Sequence, residues 1–189
     1  MRLRILTMVA AALAPLFGQE ATLHLNPATT QVEYTLGDVL HTVHGTFKLK
    51  SGHIRFDPST GQASGSLIVD ATSGNSGSGA RDRRMNDAIL ESAQYPEIAF
   101  TPDRVDGKLN LRGDSEVSLH GTFRIHGADH EMVLPVKAHV AQSNLSAEIQ
   151  FPVPYVKCGM RNPSTLFLRV KDTVRIQIHA VGQLSGVSF

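Results

Sequence analysis

The most constraining feature of this sequence is the stretch 116–126, which alternates between polar side chains and apolar or small ones at every position. Successive side chains of a β-strand point to opposite faces, so this pattern predicts a strand with one wet face and one dry face. A glycine lies in the middle of the dry face and leaves a gap in the apolar surface. The dry positions are Val117, Leu119, Gly121, Phe123 and Ile125.

The same alternation recurs along most of the chain and predicts a protein built of strands. A turn at Ser51-Gly52 is expected to separate the second strand from Ile54 and Phe56. The Gly- and Ser-rich stretch 73–79 is predicted to be a loop, and 80–93, which lacks Gly and Pro, is the one predicted helix. The other predicted strands are 31–36, 43–49, 64–72, 97–101, 105–111, 131–140, 145–153 and 173–184.

A sheet with one apolar face must cover that face, either by closing into a barrel or by packing on a second sheet. The polar face carries Glu116, Arg124 and Lys137, so the apolar face is interior, which is opposite to a membrane barrel. Long strands without intervening helices favour an all-β antiparallel barrel of about eight strands with one short helix. The small inner residues either leave room for a ligand or allow the strands to bend. They are Gly45, Gly121, Ala138, Ala147 and Ala180.

The first 18 residues have the form of a secretory signal peptide. Arg2 and Arg4 precede an uncharged, mostly apolar run that ends near Gly18. That run is shorter than the roughly 20 residues that span a bilayer, which disfavours the alternative of an uncleaved anchor. No cysteine lies near it, which argues against a lipid anchor. We therefore expect an exported protein, with residues 19–189 forming a single domain.

Charge and cysteine content exclude several classes of partner. Without Arg2 and Arg4, the chain has 16 basic and 17 acidic side chains, which gives a net charge of −1. No basic stripe indicates nucleic acid, and no basic amphipathic helix indicates stable membrane insertion. Cys158 is the only cysteine, so it is either buried or used between chains. Burial is favoured, and a homodimer remains open.

Catalytic and metal-binding patterns are weak. The chain has no Gly-x-Ser-x-Gly motif, and the inward positions carry almost no ionisable group, so we expect no enzyme activity and no catalytic residue. The one arrangement worth considering for a metal is His126, Asp129 and His130 around a short turn. A closed site needs about four ligands, so no metal is predicted.

Several segments taken in order resemble YceI-like proteins. They are 43–47 (VHGTF), 52–57 (GHIRFD), 81–82 (RD), 95–100 (YPEIAF), 121–127 (GTFRIHG), 155–159 and 174–178. The resemblance covers essentially the whole of 19–189. It implies an extended, lipocalin-like antiparallel barrel that encloses a long isoprenoid or another amphiphilic lipid, in a protein exported to the bacterial periplasm.

From this resemblance we expect an exported carrier or sequestering protein that binds a polyisoprenoid or another amphiphilic lipid, such as a quinone tail or a polyprenyl phosphate. It would need no cofactor apart from such a lipid or quinone. The alternative is a structural or interaction β-module of the cell envelope that binds no lipid, whose packed core would show the same side chains. The expected lipid-binding residues are Tyr34, Phe47, Phe56, Met85, Ile89, Phe100, Leu111, Leu119, Gly121, Phe123, Leu134, Ile149, Phe151 and Ile176.

Overall fold

The computed structural model describes residues 20–37, 41–166 and 169–188, and the predicted signal peptide lies outside them. In the described residues, nine strands form one closed antiparallel sheet. A helix, α1 (Gly79–Arg84), continues as a π-helical turn over Met85–Ile89. The strands are β1 (Ala21–Leu25), β2 (Gln31–Gly37), β3 (Thr42–Phe56), β4 (Ala63–Asn75), β5 (Glu97–Asp106), β6 (Gly113–Ile125), β7 (Ala128–Ala141), β8 (Asn144–Val153) and β9 (Val174–Ser185).

The sheet closes with eight strand positions because β1 and β2 share one of them. Both pair with β3 on one side and with β9 on the other, so they lie end to end as a single interrupted strand. The remaining strands follow one another around the barrel in chain order. The predicted all-β, lipocalin-like barrel of about eight strands with one short helix is therefore confirmed.

The alternation in β6 has the predicted orientation. Leu119, Gly121 and Phe123 are buried inside the barrel, whereas Glu116 and Arg124 are exposed outside it. β6 pairs with β7 along its whole length, from Gly113 to Ile125. The pairing of β6 with β7 therefore forms the part of the barrel wall that the alternation predicted.

The predicted turn at Ser51-Gly52 is wrong. β3 runs unbroken through it, and a bulge between Leu49 and Ser51 absorbs the irregularity in its pairing with β4. A Cβ added at Gly52 would lie 3.0 Å from the Cβ of Leu25 and 3.1 Å from Leu67 Cδ2. The glycine is therefore explained by close packing between neighbouring strands.

The predicted loop 73–79 is partly strand, because β4 extends to Asn75. The Ser73 hydroxyl accepts a hydrogen bond from the Lys48 backbone N–H (2.8 Å) and donates one to the Asp70 carbonyl (2.6 Å). The Ser73 side chain thus takes the place of backbone hydrogen bonds that regular strand pairing would provide. The helical segment is also shorter than predicted, since it ends at Ile89.

Two further strand predictions differ from the structure. The predicted strands 97–101 and 105–111 are replaced by one strand, β5. β5 ends at Asp106, so Leu111 lies in the turn before β6, where it is half-buried. The Asn110 side chain accepts a bond from the Arg112 N–H (3.0 Å) and stabilises that turn. β1 was not predicted, because its five residues are too few for a clear alternation.

The barrel interior has a packed half and a hollow half. The packed half surrounds β1, where buried apolar side chains from six strands meet. The packed half includes Ala21, Leu23, Ile54, Phe56, Leu119, Leu134, Val140, Leu145 and Leu184.

The single cysteine, Cys158, is free and buried, as the sequence analysis favoured, and burial raises the pKa of its thiol. Among the described residues, no helix is long and apolar enough to cross a membrane.

Candidate functional site

The hollow half of the barrel contains a cavity of about 570 Å³. Its walls come from β2, the first parts of β3 and β9, and the final residues of β6 and β8, with one residue each from β4 and β5. The helical segment 79–89 and the connection between β8 and β9 complete the lining at the barrel mouth. The volume lies within the range of about 300–1,000 Å³ that is typical of small-molecule sites.

Aromatic side chains define two sides of the cavity. The rings of Tyr34 and Phe47 lie 5.4 Å apart, centroid to centroid. Phe123 and Phe151 meet edge to face at 6.2 Å. Ile176 stands in register with Tyr34 on one neighbouring strand and with Phe151 on the other, so it lies on the wall between the two pairs.

The helical segment covers the cavity by seating Met85 on the barrel wall. Gly74 of β4 has no room for a side chain, because the Met85 methyl group and the Phe47 ring occupy that space. Met85 and Ile89 both line the cavity. The prediction that these two residues cover one end of the barrel agrees with this geometry.

The start of α1 is held by Ser76. The Asp82 carboxylate accepts hydrogen bonds from the Ser76 N–H (2.8 Å) and hydroxyl (2.5 Å), and these bonds lower the pKa of Asp82. Arg81 Nε donates to the same hydroxyl (2.8 Å), and its Nη2 donates to the Ser76 carbonyl (3.1 Å). Both charged side chains therefore fix the helix to the segment that follows β4.

The β8–β9 connection forms the other part of the cover. Tyr155 is buried, and its hydroxyl donates to the Lys171 carbonyl (2.7 Å). Burial raises the pKa of Tyr155 to about 12, with a further contribution from the charge of Asp172. Arg84 Nη2 donates to the Pro163 carbonyl (3.2 Å), which joins this connection to α1.

Two of the three residues considered for a metal, His126 and Asp129, have other partners. His126 Nε2 lies 2.8 Å from a Glu91 carboxylate oxygen, and the His126 ring packs on Tyr95 at 4.6 Å. Asp129 accepts two hydrogen bonds from Arg124, which lower its pKa. In the part of the chain that the structure describes, no three His, Cys, Asp or Glu side chains converge on a common point.

Half of the predicted lipid-binding residues line the cavity. They come from five strands and the helical segment, and no short stretch of sequence contains them all. They are Tyr34, Phe47, Met85, Ile89, Phe123, Phe151 and Ile176.

The other half does not line the cavity. Four of these side chains are buried in the packed core, and Ile149 packs against that core from a half-buried position. Leu111 lies in the β5–β6 turn. A Cβ at Gly121 would approach the Thr101 carbonyl and would lie 2.8 Å from Pro102 Cα, so this glycine allows β5 to approach β6 and leaves no space for a ligand. The four buried side chains are Phe56, Phe100, Leu119 and Leu134.

Sequence reasoning missed cavity residues of three kinds. Some continue a recognised alternation, such as Val32, Leu36 and Ile125, and the pattern gave their face but not their height in the barrel. Others lie on irregular chain and have no periodic signal, including Met160, Pro163 and Val170. Both arginines of α1 that line the cavity were also missed.

Comparison with known proteins places these features in a family. A sequence profile of the YceI-like domain matches residues 23–182. That match includes every strand except the beginning of β1 and the end of β9. No individual curated protein matches the chain by sequence comparison.

Solved structures share the fold at low sequence identity. BcnA of Burkholderia cenocepacia superposes with a TM-score of 0.69 at 16% identity, over 83% of this chain and 98% of that one. A domain from Saccharophagus degradans, described as polyisoprenoid binding, gives 0.64 at 15% identity, over 86% and 98%. The YCEI protein of Campylobacter jejuni gives 0.55 at 14% identity, over 97% and 98%.

Proposed function

The chain belongs to the YceI-like family, and from that premise we propose that it is an exported carrier or sequestering protein for a polyisoprenoid or another amphiphilic lipid. The lipid tail lies in the hollow half of the barrel, against the side chains around Ile176. The observation that carries the proposal is the cavity of about 570 Å³ with a mostly apolar lining. Export rests on the signal-like pattern of residues 1–18.

The cavity favours a lipid over the alternative of a packed envelope module. Protein interiors are close-packed, and voids larger than a water molecule are few. A barrel that serves only as a packed structural module is therefore not expected to contain a cavity of this volume. The Saccharophagus degradans structure carries the description of a polyisoprenoid-binding domain, and the proposal extends that ligand class to this chain.

A hydrocarbon tail binds such a surface without specific polar contacts. Removing each methylene group from water contributes about 0.8 kcal/mol, so a tail of several isoprene units gains affinity with length. The charged residues of the lining are arginines, which stay protonated and cannot act as bases at neutral pH. The proposed role is therefore binding without chemical conversion of the lipid.

Native mass spectrometry of the protein purified from its cells tests this proposal. We expect a population with the mass of one lipid added per chain, and added farnesol should raise the unfolding temperature, because a ligand that binds the folded state stabilises it. The envelope-module alternative predicts neither effect. Absence of both a co-purified lipid and stabilisation by farnesol would overturn the carrier role.

A further inference from the structure

The cavity ends at a defined level inside the barrel. On five of the strands, one inward residue lines the cavity and the next inward residue, farther from the mouth, does not. The last lining residues on these strands are Phe47, Ile98, Phe123, Phe151 and Ile178. The residues that follow them form the cavity floor, namely Leu49, Phe100, Gly121, Ile149 and Ala180.

Phe100 has the largest side chain of the cavity floor and is 5% exposed. It is in register with Phe123 on β6, and its ring extends towards Gly121, the next inward residue of that strand. A Cβ added at Gly121 would lie 2.8 Å from Phe100 Cζ. The end of the ring therefore fills the interior space that a side chain at position 121 would take.

Short side chains leave Phe100 without a substitute at this level. Ala180 of the cavity floor is in register with Ala147 on β8, which in turn is in register with Ala138 on β7, and all three are buried. Methyl groups cannot extend into space that a neighbour vacates, and a core relaxes only partly around a truncated side chain. Loss of the Phe100 ring would therefore deepen the cavity.

The cavity above the floor is shallow. On β9 its lining runs from Val174 to Ile178, and four steps of about 3.3 Å give about 13 Å along the strand. Barrel strands tilt by about 35–45° from the axis, so the depth is about 10 Å. A tail of a few isoprene units fits this depth when it bends, and a longer tail extends beyond the mouth.

We propose that Phe100 determines specificity for tail length, because its ring against Gly121 closes the cavity floor and sets the longest tail that the barrel buries. Each isoprene unit that enters the cavity adds affinity, since its carbons leave water. A unit that stays outside the mouth adds almost none. This inference rests on the proposed lipid-binding function and specifies which tails that function favours.

Native mass spectrometry with pairs of prenols in competition tests the inference. The probes are geraniol, farnesol, geranylgeraniol and geranylfarnesol, whose tails have two, three, four and five isoprene units, and each equimolar pair differs by one unit. For the wild-type protein we expect the longer prenol to be favoured in the first pair. In the last pair we expect a preference below about tenfold, whereas a fully buried unit would give about a hundredfold or more.

Phe100→Leu removes the end of the ring and should extend the limit. In the pair of geranylgeraniol and geranylfarnesol, we expect this variant to favour the longer prenol at least about fivefold more strongly than the wild type does, because the freed space buries further methylene groups. Both proteins meet the same mixtures, so differences in prenol solubility cancel in the comparison.

Phe56→Leu is the matched control. Phe56 is also buried, at 8% exposure, but it lies nine residues beyond Phe47 on β3, about 30 Å along the strand. The control loses the same ring from the packed half and should keep the wild-type preferences. Thermal unfolding identifies any variant that fails to fold, and Phe100→Met then replaces Phe100→Leu, since its flexible side chain can move aside.

The outcomes separate the length limit from the proposed function. A wild-type preference of tenfold or more in the last pair, or an unchanged preference in the folded Phe100 variant, overturns the inference and leaves lipid binding intact. An equal shift in Phe56→Leu also overturns it, because general loosening of the barrel would then explain the effect. Failure of the wild-type protein to bind any of the four prenols overturns the proposed function itself.

Discussion

The ring of Tyr34 occupies the space beside Gly45, its cross-strand partner on β3. A Cβ added at Gly45 would lie 2.5 Å from both Cε1 and the hydroxyl oxygen of Tyr34. The gap that the sequence showed at this position is therefore filled by an aromatic side chain, which itself forms part of the cavity wall. The space beside Gly121 is filled differently, because the backbone of β5 approaches β6 at that point.

This difference predicts unequal costs for two otherwise identical substitutions. In Gly45→Ala the far end of the Tyr34 side chain can rotate away, whereas in Gly121→Ala the new methyl group meets the Thr101 carbonyl and Pro102 Cα, which belong to the backbone. We expect Gly121→Ala to lose more stability, with overpacking costing about 1–3 kcal/mol or more. Urea denaturation of both variants checks the order, and a larger loss in Gly45→Ala would contradict it.

The two halves of the barrel should respond differently to added volume. Ile176→Phe projects into the cavity, so we expect a loss of stability below about 1 kcal/mol, whereas Leu119→Phe overpacks a core and should cost about 1–3 kcal/mol. Leu119 is 7% exposed and belongs to the packed half, while Ile176 is half-buried. Thermal unfolding measures both. Equal destabilisation would indicate that the hollow half is packed in solution.

The sequence was sufficient to predict which side chains of each strand face the barrel interior. It was not sufficient to predict where along the barrel axis each side chain lies. Alternation identifies Leu119 and Phe123 equally as inward residues, because it depends only on side-chain direction. Phe123 reaches the cavity and Leu119 the packed half as a result of strand register, which depends on pairing between distant segments. Five of the predicted lipid-binding residues lie outside the cavity lining for this reason, namely Phe56, Phe100, Leu119, Leu134 and Ile149.

Glycines and irregular segments explain most of the other differences. Gly52 was interpreted as a turn residue and Gly121 as a lining residue, yet both accommodate a neighbour that is remote in sequence. Tyr155 and Met160 lie in a connection without periodicity, so nothing local indicated that they line a cavity. Only the folded chain brings α1 and this connection together through Arg84 and Pro163.

Tyr155 should give the barrel a distinctive alkaline transition. Its pKa of about 12 in the folded state exceeds the ordinary value of 10.0. Since the folded state favours the neutral phenol, the resulting stability is fully present below pH 10 and is lost as pH rises towards 12. Spectrophotometric titration should show a late phenolate step that Tyr155→Phe reduces in size.

The same variant also loses the hydrogen bond to the Lys171 carbonyl, so at neutral pH we expect it to be less stable by about 0.5–1.5 kcal/mol. Burial also raises the pKa of Tyr34, so the comparison is between the size of the late step in the wild-type protein and in the variant. A late step of undiminished size in Tyr155→Phe would show that the burial of Tyr155 described above is wrong.

The central claim is that the hollow half of the barrel binds the tail of a lipid, and calorimetric titration of farnesol tests it most directly. The account predicts one farnesol bound per wild-type chain and an affinity at least about tenfold lower in folded Ile176→Phe, since the added ring takes up cavity volume and excludes several methylene groups worth about 0.8 kcal/mol each. Leu119→Phe, where it folds, should bind as the wild type does. No binding by the wild-type chain, or equal binding by Ile176→Phe, would contradict the account.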